Sequence, residues 1–279
     1  MAIGNGTNRI NGVNGVNGVN GVNKRTIALW AVAVLVFAFL YVPLIIVMVY
    51  SFNDSQLNAE WVGFTFDWYR KLFNDHEMLN AAGNSLMIAV VSSAVATVLG
   101  TMAGFAMHRY KLKLLPLLVL TPIAIPEILI GVSLLIFFVM LNITLGLVSI
   151  TLAHIAFCIG FVAIVVRSRL SGMDESLTEA ARDCGATPLQ AFRLVTLPLI
   201  MPGVLAGALM AFTLSIDDFV ITFFTAGANA STLPLQIYSM IKIAVTPEVN
   251  AVSTLLMVLT LFLIIVAAKL APGALRSSS

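Results

Sequence analysis

Three carboxylates stand where carboxylates are costly. Glu127 lies in the apolar run Leu117 to Leu141, and Asp217 and Asp218 lie together in the run Gly203 to Thr225. Each run has the length that crosses a bilayer as a helix. A mid-helix acid costs roughly 2.5 to 3.5 kcal/mol on an insertion scale, so lipid exposure is disfavoured and a water-filled path is the default reading. At a rise of about 1.5 Å per residue from the cytoplasmic entry of each run, Glu127 lies about 20 Å deep and Asp217 about 26 Å, both in the outer half. Kinks at Pro122 and Pro126 loosen the first figure.

Acids at one depth suit an organic cation, whose ammonium groups need spaced carboxylates and whose methylenes need apolar or aromatic walls. Phe219, Phe223 and Phe224 adjoin the aspartates, although helix phase keeps all three from facing one path. Asp217 and Asp218 themselves point about 100° apart on a helix, so one is expected to line the path and the other to cap or pair internally. Ser215, two residues before Asp217, is placed to cap a local break. A buried structural hydrogen-bond network is the competing account of the same set. His154 shares its apolar run with no acid, so a packed, hydrogen-bonded role is expected rather than proton transfer. No nucleophile–base or metal constellation accompanies these residues.

The elements that must position the acids follow from composition. The chain has 279 residues, 59% hydrophobic and 10% charged, with a net charge of +2. A soluble domain carries about 25% charge, so too little charge is present to cover a water-facing surface. That excludes an ordinary soluble domain, a disordered chain and a nucleic-acid binder. Six apolar runs are expected to span as helices: Ile27 to Tyr50, Leu86 to Met107, Leu117 to Leu141, Val148 to Val166, Gly203 to Thr225 and Ala251 to Ala268. Lipid offers no partner for exposed backbone groups, and the alternation of a membrane barrel is absent. Twelve of the fifteen basic residues fall on one side of these spans, which places both termini and the long fourth connection in the cytoplasm.

The domain reading is a polar tail over residues 1–26, a membrane domain over 27–270 and a short cytoplasmic tail over 271–279. Residues 11–22 repeat Asn-Gly-Val four times. A tract with so little to bury is expected to be disordered, and the apolar run after Lys24 and Arg25 is too long for a signal peptide. Cys158 and Cys184 have neither metal-ligand nor disulfide spacing. The aromatic-rich outer connection, Ser51 to Gly83, suits an amphipathic helix at the membrane surface or a docking site for a soluble partner.

The fourth connection, Arg167 to Pro198, is more ordered than a bilayer connection needs. Ser171-Gly-Met-Asp174 has capping-box character and leads into a helix through Glu179, Ala180 and Ala181. Gly185 sits where a left-handed cap would stop that helix. Thr187 caps a second helix with Pro188 first and Gln190 third, and Leu189, Phe192 and Val195 recur on one face. Leu197-Pro198 is expected to end it. Such an exposed pair of short helices, if it does not simply pack on its own bundle, fits helix-in-groove docking to a cytoplasmic protein.

Glu179-Ala180-Ala181, then Gly185, then Val195-Thr-Leu197-Pro198 resembles the EAA motif of binding-protein-dependent ABC importer permeases, with Val195 standing where Ile is usual. Ser215-Ile-Asp-Asp-Phe-Val and Thr246-Pro-Glu-Val-Asn-Ala resemble the spermidine/putrescine permeases of that family, and the likeness covers residues 27–270. The resemblance implies an all-α, six-helix type I importer transmembrane domain in a bacterial inner membrane. It implies that Glu179, Ala180, Ala181, Gly185, Leu189, Phe192, Leu197 and Pro198 form the coupling element, and that Glu127, Ser215, Asp217 and Asp218 belong to the substrate route. It further implies a second permease subunit, two cytoplasmic ATPase subunits and a periplasmic binding protein. ATP and Mg would sit on the ATPase, since this chain has no phosphate-binding loop and carries no cofactor of its own. An importer for another small substrate keeps the coupling loop and changes the pocket. A secondary cation transporter explains the acids but not the loop.

Overall fold

A computed structural model describes residues 17–55, 60–110, 114–228, 230–243 and 246–270. They form helices α1 (Asn17–Tyr50), α2 (Asp67–Asn74), α3 (His76–Arg109), α4 (Leu114–Ala124), α5 (Glu127–Met140), α6 (Leu147–Ser171), α7 (Ser176–Asp183), α8 (Pro188–Ala191), α9 (Leu197–Ile216), α10 (Val220–Thr225), α11 (Leu233–Ile243) and α12 (Pro247–Leu270). A single isolated bridge, Asn53 to Phe64, is the extended pairing among the described residues. The chain divides into a unit ending at Val49 and a second from Tyr50 onward.

The first unit holds α1, whose span Thr26–Tyr50 has a mean hydropathy of 3.0. The helix begins at Asn17, within the repeat, so its backbone takes in the last Asn-Gly-Val residues that the sequence assigns to the tail. Extending an existing helix costs far less than starting one, and the apolar run supplies the start. The remainder of the expected N-terminal tail, residues 1–16, and the C-terminal tail lie outside the described residues.

The second unit is organised around α3, α6 and α9. Their contact surfaces carry small residues, which lets backbones approach where no hydrophobic drive exists between helices. A Cβ at Gly100 would come within 2.6 Å of Val162 Cβ, and one at Gly104 within 2.8 Å of the Ala163 carbonyl oxygen. Gly207 meets Val162 from α9, and Gly203 lies against the stem of Arg169. Buried Val162, Val166, Leu170, Ile200 and Ala211 form the core between them. Outward residues such as Val90, Val98 and Met102 of α3 stay exposed and apolar, as a lipid-facing surface requires.

The spans match the sequence runs with three exceptions. Thr26–Tyr50, His76–Arg109, Leu147–Ser171 and Pro188–Ile216 are each long and apolar enough to cross a membrane. The third run is a bent pair, α4 and α5, turning by 108° at Ile125–Pro126. Pro126 removes a backbone donor and biases Ile125 away from helix, so the kink expected there is a full break. The fifth run breaks at the aspartates. The sixth run lies in α12, whose described apolar stretch, Pro247–Phe262, is shorter than a full crossing.

On the loop side, Asp75 caps α3 by accepting from the Glu77 and Met78 backbone N–H groups at 2.9 and 3.2 Å. Helix α2 is tied to α12 by the Lys71–Glu248 ion pair. The aromatic connection folds on itself: Phe52, Phe64, Phe66 and Tyr69 pack with the Phe64 and Phe66 ring centroids 5.0 Å apart. Asn84, inside α3, donates to the Ser231 carbonyl at 2.9 Å.

Glycine substitutions in α3 should change sign along one helix. Gly104→Ala is expected to lower stability in detergent by about 1 to 3 kcal/mol, because the obstruction is backbone and cannot rotate away. Gly83→Ala meets nothing within 4 Å and should raise it by about 0.5 to 1 kcal/mol. Denaturant unfolding of the two variants checks the pair.

Candidate substrate path and coupling arm

The fifth span is interrupted at its acids. α9 ends at Ile216, Asp217 takes φ −101° and ψ 0°, and α10 restarts at Val220. Carboxylates favour such breaks because they offer the backbone an alternative partner. Asp218 Oδ1 accepts the Thr222 backbone N–H at 2.9 Å and the Thr222 hydroxyl at 3.0 Å. It thus does for α10 what a capping side chain does for any helix start.

Ser215 does not cap this break. Still inside α9, it points into the bundle, with its hydroxyl 2.7 Å from His154 Nδ1 and 2.9 Å from Ser92 Oγ. The other ring nitrogen, His154 Nε2, lies 2.9 Å from Thr222 Oγ1 and 3.3 Å from Asp218 Oδ1. One polar junction therefore joins α3, α6, α9 and the start of α10. The expectation of a packed, hydrogen-bonded His154 matches this geometry. Its acidic neighbour comes from another span, which is why the sequence did not offer it.

The adjacent aspartates separate as helix phase requires. Asp218 is 9% exposed and spends its carboxylate internally. Asp217 is exposed on a cleft of about 370 Å³ that it shares with Phe219, Pro234, Tyr238 and Ser253. The Phe219 and Tyr238 rings are 4.7 Å apart, and Phe223 lies 5.6 Å from Phe219. Phe224 turns the other way and packs on Gly131 of α5. Tyr238 belongs to α11, an element absent from the sequence reading. Leu233, Ile237 and Met240, spaced as a helix face and packed beside Leu72, Met78 and Val252, are the signal that marks it.

Glu127 is the first residue of α5, exposed, at the 108° turn. A helix N-terminus favours an anion there. It is within electrostatic range of Asp217, so the structure brings these two acids to one region. The depth counted for Asp217 rests on an unbroken α9. The count for Glu127 fails beyond Ala124, because the chain changes direction.

The fourth connection has the expected helix–turn–helix, with three corrections. Ser171 ends α6, its hydroxyl bonded to the Arg167 carbonyl, and α7 starts later at Ser176. Asp174 accepts the Ser176 backbone N–H at 3.0 Å, and the Ser176 hydroxyl and N–H hold its carboxyl below the ordinary carboxylate range. Gly185 has φ +91°, and the Ala186 N–H bonds the Ala181 carbonyl at 3.1 Å, the wrap of a left-handed cap. Thr187 and Gln190 form the reciprocal capping box of α8.

The second correction is that α8 does not stop at Leu197-Pro198. It passes through a π-helical turn, Phe192–Thr196, directly into α9, with the Leu197 N–H bonded to the Phe192 carbonyl. The wider turn admits Pro198, which has no N–H to donate. The third follows from it. The extra residue shifts the face, so Phe192 packs inward on Phe105 with centroids 4.8 Å apart. Leu197 is half-buried in the core, while Leu189 and Leu194 are 73% and 70% exposed. Glu179, Ala180, Gly185 and Pro198 are exposed and Ala181 half-buried. Leu194 therefore takes the outward place that the even spacing gave to Phe192.

Residues 96–276 match the family model described as binding-protein-dependent transport system inner membrane component. The spermidine/putrescine transport system permease protein PotC of Escherichia coli (strain K12) is 43% identical over 233 residues, covering 82% of this chain and 88% of that protein. The putrescine transport system permease protein PotI of the same strain is 40% identical over 240 residues, covering 82% and 85%. Among solved structures, a bacterial ABC transporter involved in import of the polysaccharide alginate aligns with a TM-score of 0.65 at 15% identity, over 92% of this chain and 98% of that one. The inward-facing MetNI methionine ABC transporter aligns at 0.62 and 22%, over 70% and 94%. The fold is that of these importers, and the chain belongs to the binding-protein-dependent transport system inner membrane components, as a multi-pass membrane permease.

Proposed function

We propose that this chain is one permease subunit of an ATP-driven importer that carries polyamines, spermidine or putrescine or both, across a bacterial inner membrane by alternating access. The observation that carries the reading is the Asp217 cleft. A free carboxylate stands at a helix break beside the paired Phe219 and Tyr238 rings, an anion and an aromatic wall for an ammonium and its methylenes. Glu127, within electrostatic range, offers a second anion for a second ammonium. The relatives named for spermidine and putrescine support the same substrate class.

The remaining parts follow the same reading. Both termini face the cytoplasm. The exposed face of α7 and α8, with Glu179, Ala180, Gly185, Leu189 and Leu194, docks on an ATPase subunit that holds ATP and Mg. A second permease subunit completes the path, a second ATPase serves it, and a periplasmic binding protein delivers the substrate.

Two tests address the two ends. A charged hydrogen bond contributes about 1.5 to 3 kcal/mol, so Asp217→Asn should raise the KM for polyamine uptake roughly ten- to a hundredfold with assembly intact. Tyr238→Ala should raise it by less, and Tyr238→Phe should leave it near the starting value, since the ring face is the contact. Uptake into vesicles with putrescine and spermidine as competitors reads both. Uptake driven by a proton gradient without ATP would falsify the importer mechanism.

At the cytoplasmic end, Gly185→Val places a branched residue at φ +91°, where about 1 to 2 kcal/mol of strain unwinds the turn. Co-purification with the ATPase subunit should fall, and Gly185→Asn, which tolerates that backbone, should keep it. Leu194→Glu should weaken docking more than Phe192→Leu.

A further inference from the structure

The connection between α1 and α3 turns aromatic rings outward on a rigid base. Phe64 and Phe66 are 64% and 61% exposed, and Trp61 is 49% exposed. The Thr65 N–H donates to the Phe52 carbonyl at 2.8 Å and the Asp54 N–H to the Gly63 carbonyl at 2.9 Å. Buried Asn53 donates its amide to the Glu60 carbonyl at 2.7 Å and accepts the Val62 N–H at 2.9 Å. Trp68 Nε1 donates to the Asn53 carbonyl at 2.8 Å, and the Tyr69 hydroxyl lies 2.7 Å from Ser51 Oγ. The connection thus satisfies these polar groups within itself and leaves apolar ring faces outside.

Two spans fix the level of those rings. No residue from Thr26 to Asn53 is charged, and the first span ends at Tyr50. Consecutive Cα atoms are about 3.8 Å apart, so Phe52 lies within about 8 Å of that end. The headgroup layer on either side of the hydrocarbon is about 5 to 8 Å thick. The Phe64 and Phe66 rings are 5.2 and 5.5 Å from the Phe52 ring, and Trp61 meets Tyr50 itself at 6.2 Å. Independently, Leu72 of α2 packs with Val252, near the start of the sixth apolar run, while Lys71 pairs with Glu248 one turn before it. Both markers put the connection at the boundary between hydrocarbon and water, where aromatic rings are favoured.

The rim carries charges of both signs. A cleft of about 530 Å³ is lined by Asp54, Asp67, Trp68, Arg70, Lys71 and Asn74. Lys71 is engaged by Glu248 and lies 5.8 Å over the Trp68 ring. Arg70 and Asn74 offer donors for a phosphate, and Asp54 and Asp67 offer carboxylates for an ammonium. We propose that this connection is a lipid anchor: Trp61, Phe64 and Phe66 sit in the headgroup layer of the membrane face where α1 ends, and the cleft takes the headgroup of a phospholipid bearing both a phosphate and an ammonium. The rings hold the end of α1 and the α2–α12 contact at one depth. The proposal stands apart from the substrate reading.

The experiment uses the assembled transporter in vesicles of equal parts phosphatidylethanolamine and phosphatidylglycerol. With chains brominated, most of the tryptophan fluorescence that is lost in Trp61→Phe should be quenched; an unquenched Trp61 overturns the anchor, and this reading needs no disruptive variant. With p-benzoylphenylalanine in place of Phe64, or of Phe66 in a second preparation, illumination should add the mass of a lipid to this chain. Cross-links to a second permease subunit or to a soluble binding protein, or no adduct at either position, overturn the lipid assignment. The ethanolamine lipid should exceed the glycerol lipid among the adducts by roughly two- to fivefold, the range of an exposed ion pair. Asp54→Asn/Asp67→Asn should bring the two to equal yield with the adduct retained. Equal yields before that change overturn the headgroup assignment.

Discussion

A helix that stops inside a membrane must find partners for the backbone groups it frees. That constraint shapes the second unit of this molecule. The break between α9 and α10 persists because Asp218 takes the Thr222 N–H, because His154 and Thr222 occupy the same carboxylate, and because Ser215 and Ser92 carry the network to α3. The Asp218–Thr222 bond is local, but those joining Ser92, His154, Ser215 and Asp218 form only where α3, α6 and α9 are close. The glycines that admit that closeness, Gly100, Gly104 and Gly207, are therefore part of the same device as the polar groups, although they contribute no polar atom beyond backbone. Packing and polar satisfaction are mutually dependent here.

The same break separates two chemically identical neighbours. Asp217 and Asp218 take different roles where the chain leaves helical geometry between Ile216 and Val220. One carboxylate becomes structure and the other remains available in the cleft with Tyr238. An uninterrupted helix would also have pointed them apart. It would not have let a single acid cap the following helix while its neighbour ends the preceding one.

Much of this was legible in the sequence. The apolar runs placed the long helices, the cost of buried charge singled out Glu127, Asp217 and Asp218, and the turn chemistry of Gly185 and Thr187 gave the helix–turn–helix of the fourth connection in outline. What escaped did so for local physical reasons. Pro126 and the aspartates turn two runs into broken spans, which hydropathy alone does not register. The π turn adds one residue to a helical period, so even spacing put Phe192 outward and left Leu194 unmarked. Helix α11 is short and lies between two longer apolar segments. The His154–Asp218 contact joins residues far apart in sequence, and periodicity carries no information about such a pair.

The π turn has a mechanical consequence. Because α8 runs through it into α9, Pro188–Ile216 is one continuous 29-residue helix, roughly 43 Å long at helical rise, whose ladder lacks the donors of Pro198 and Pro202. One end carries the arm with exposed Leu189 and Leu194, and the other ends at Asp217. A continuous helix links a tilt at Leu189 to the acid, with the π turn and Pro202 as the points where it can bend. The helix ends at the break, where the cleft opens.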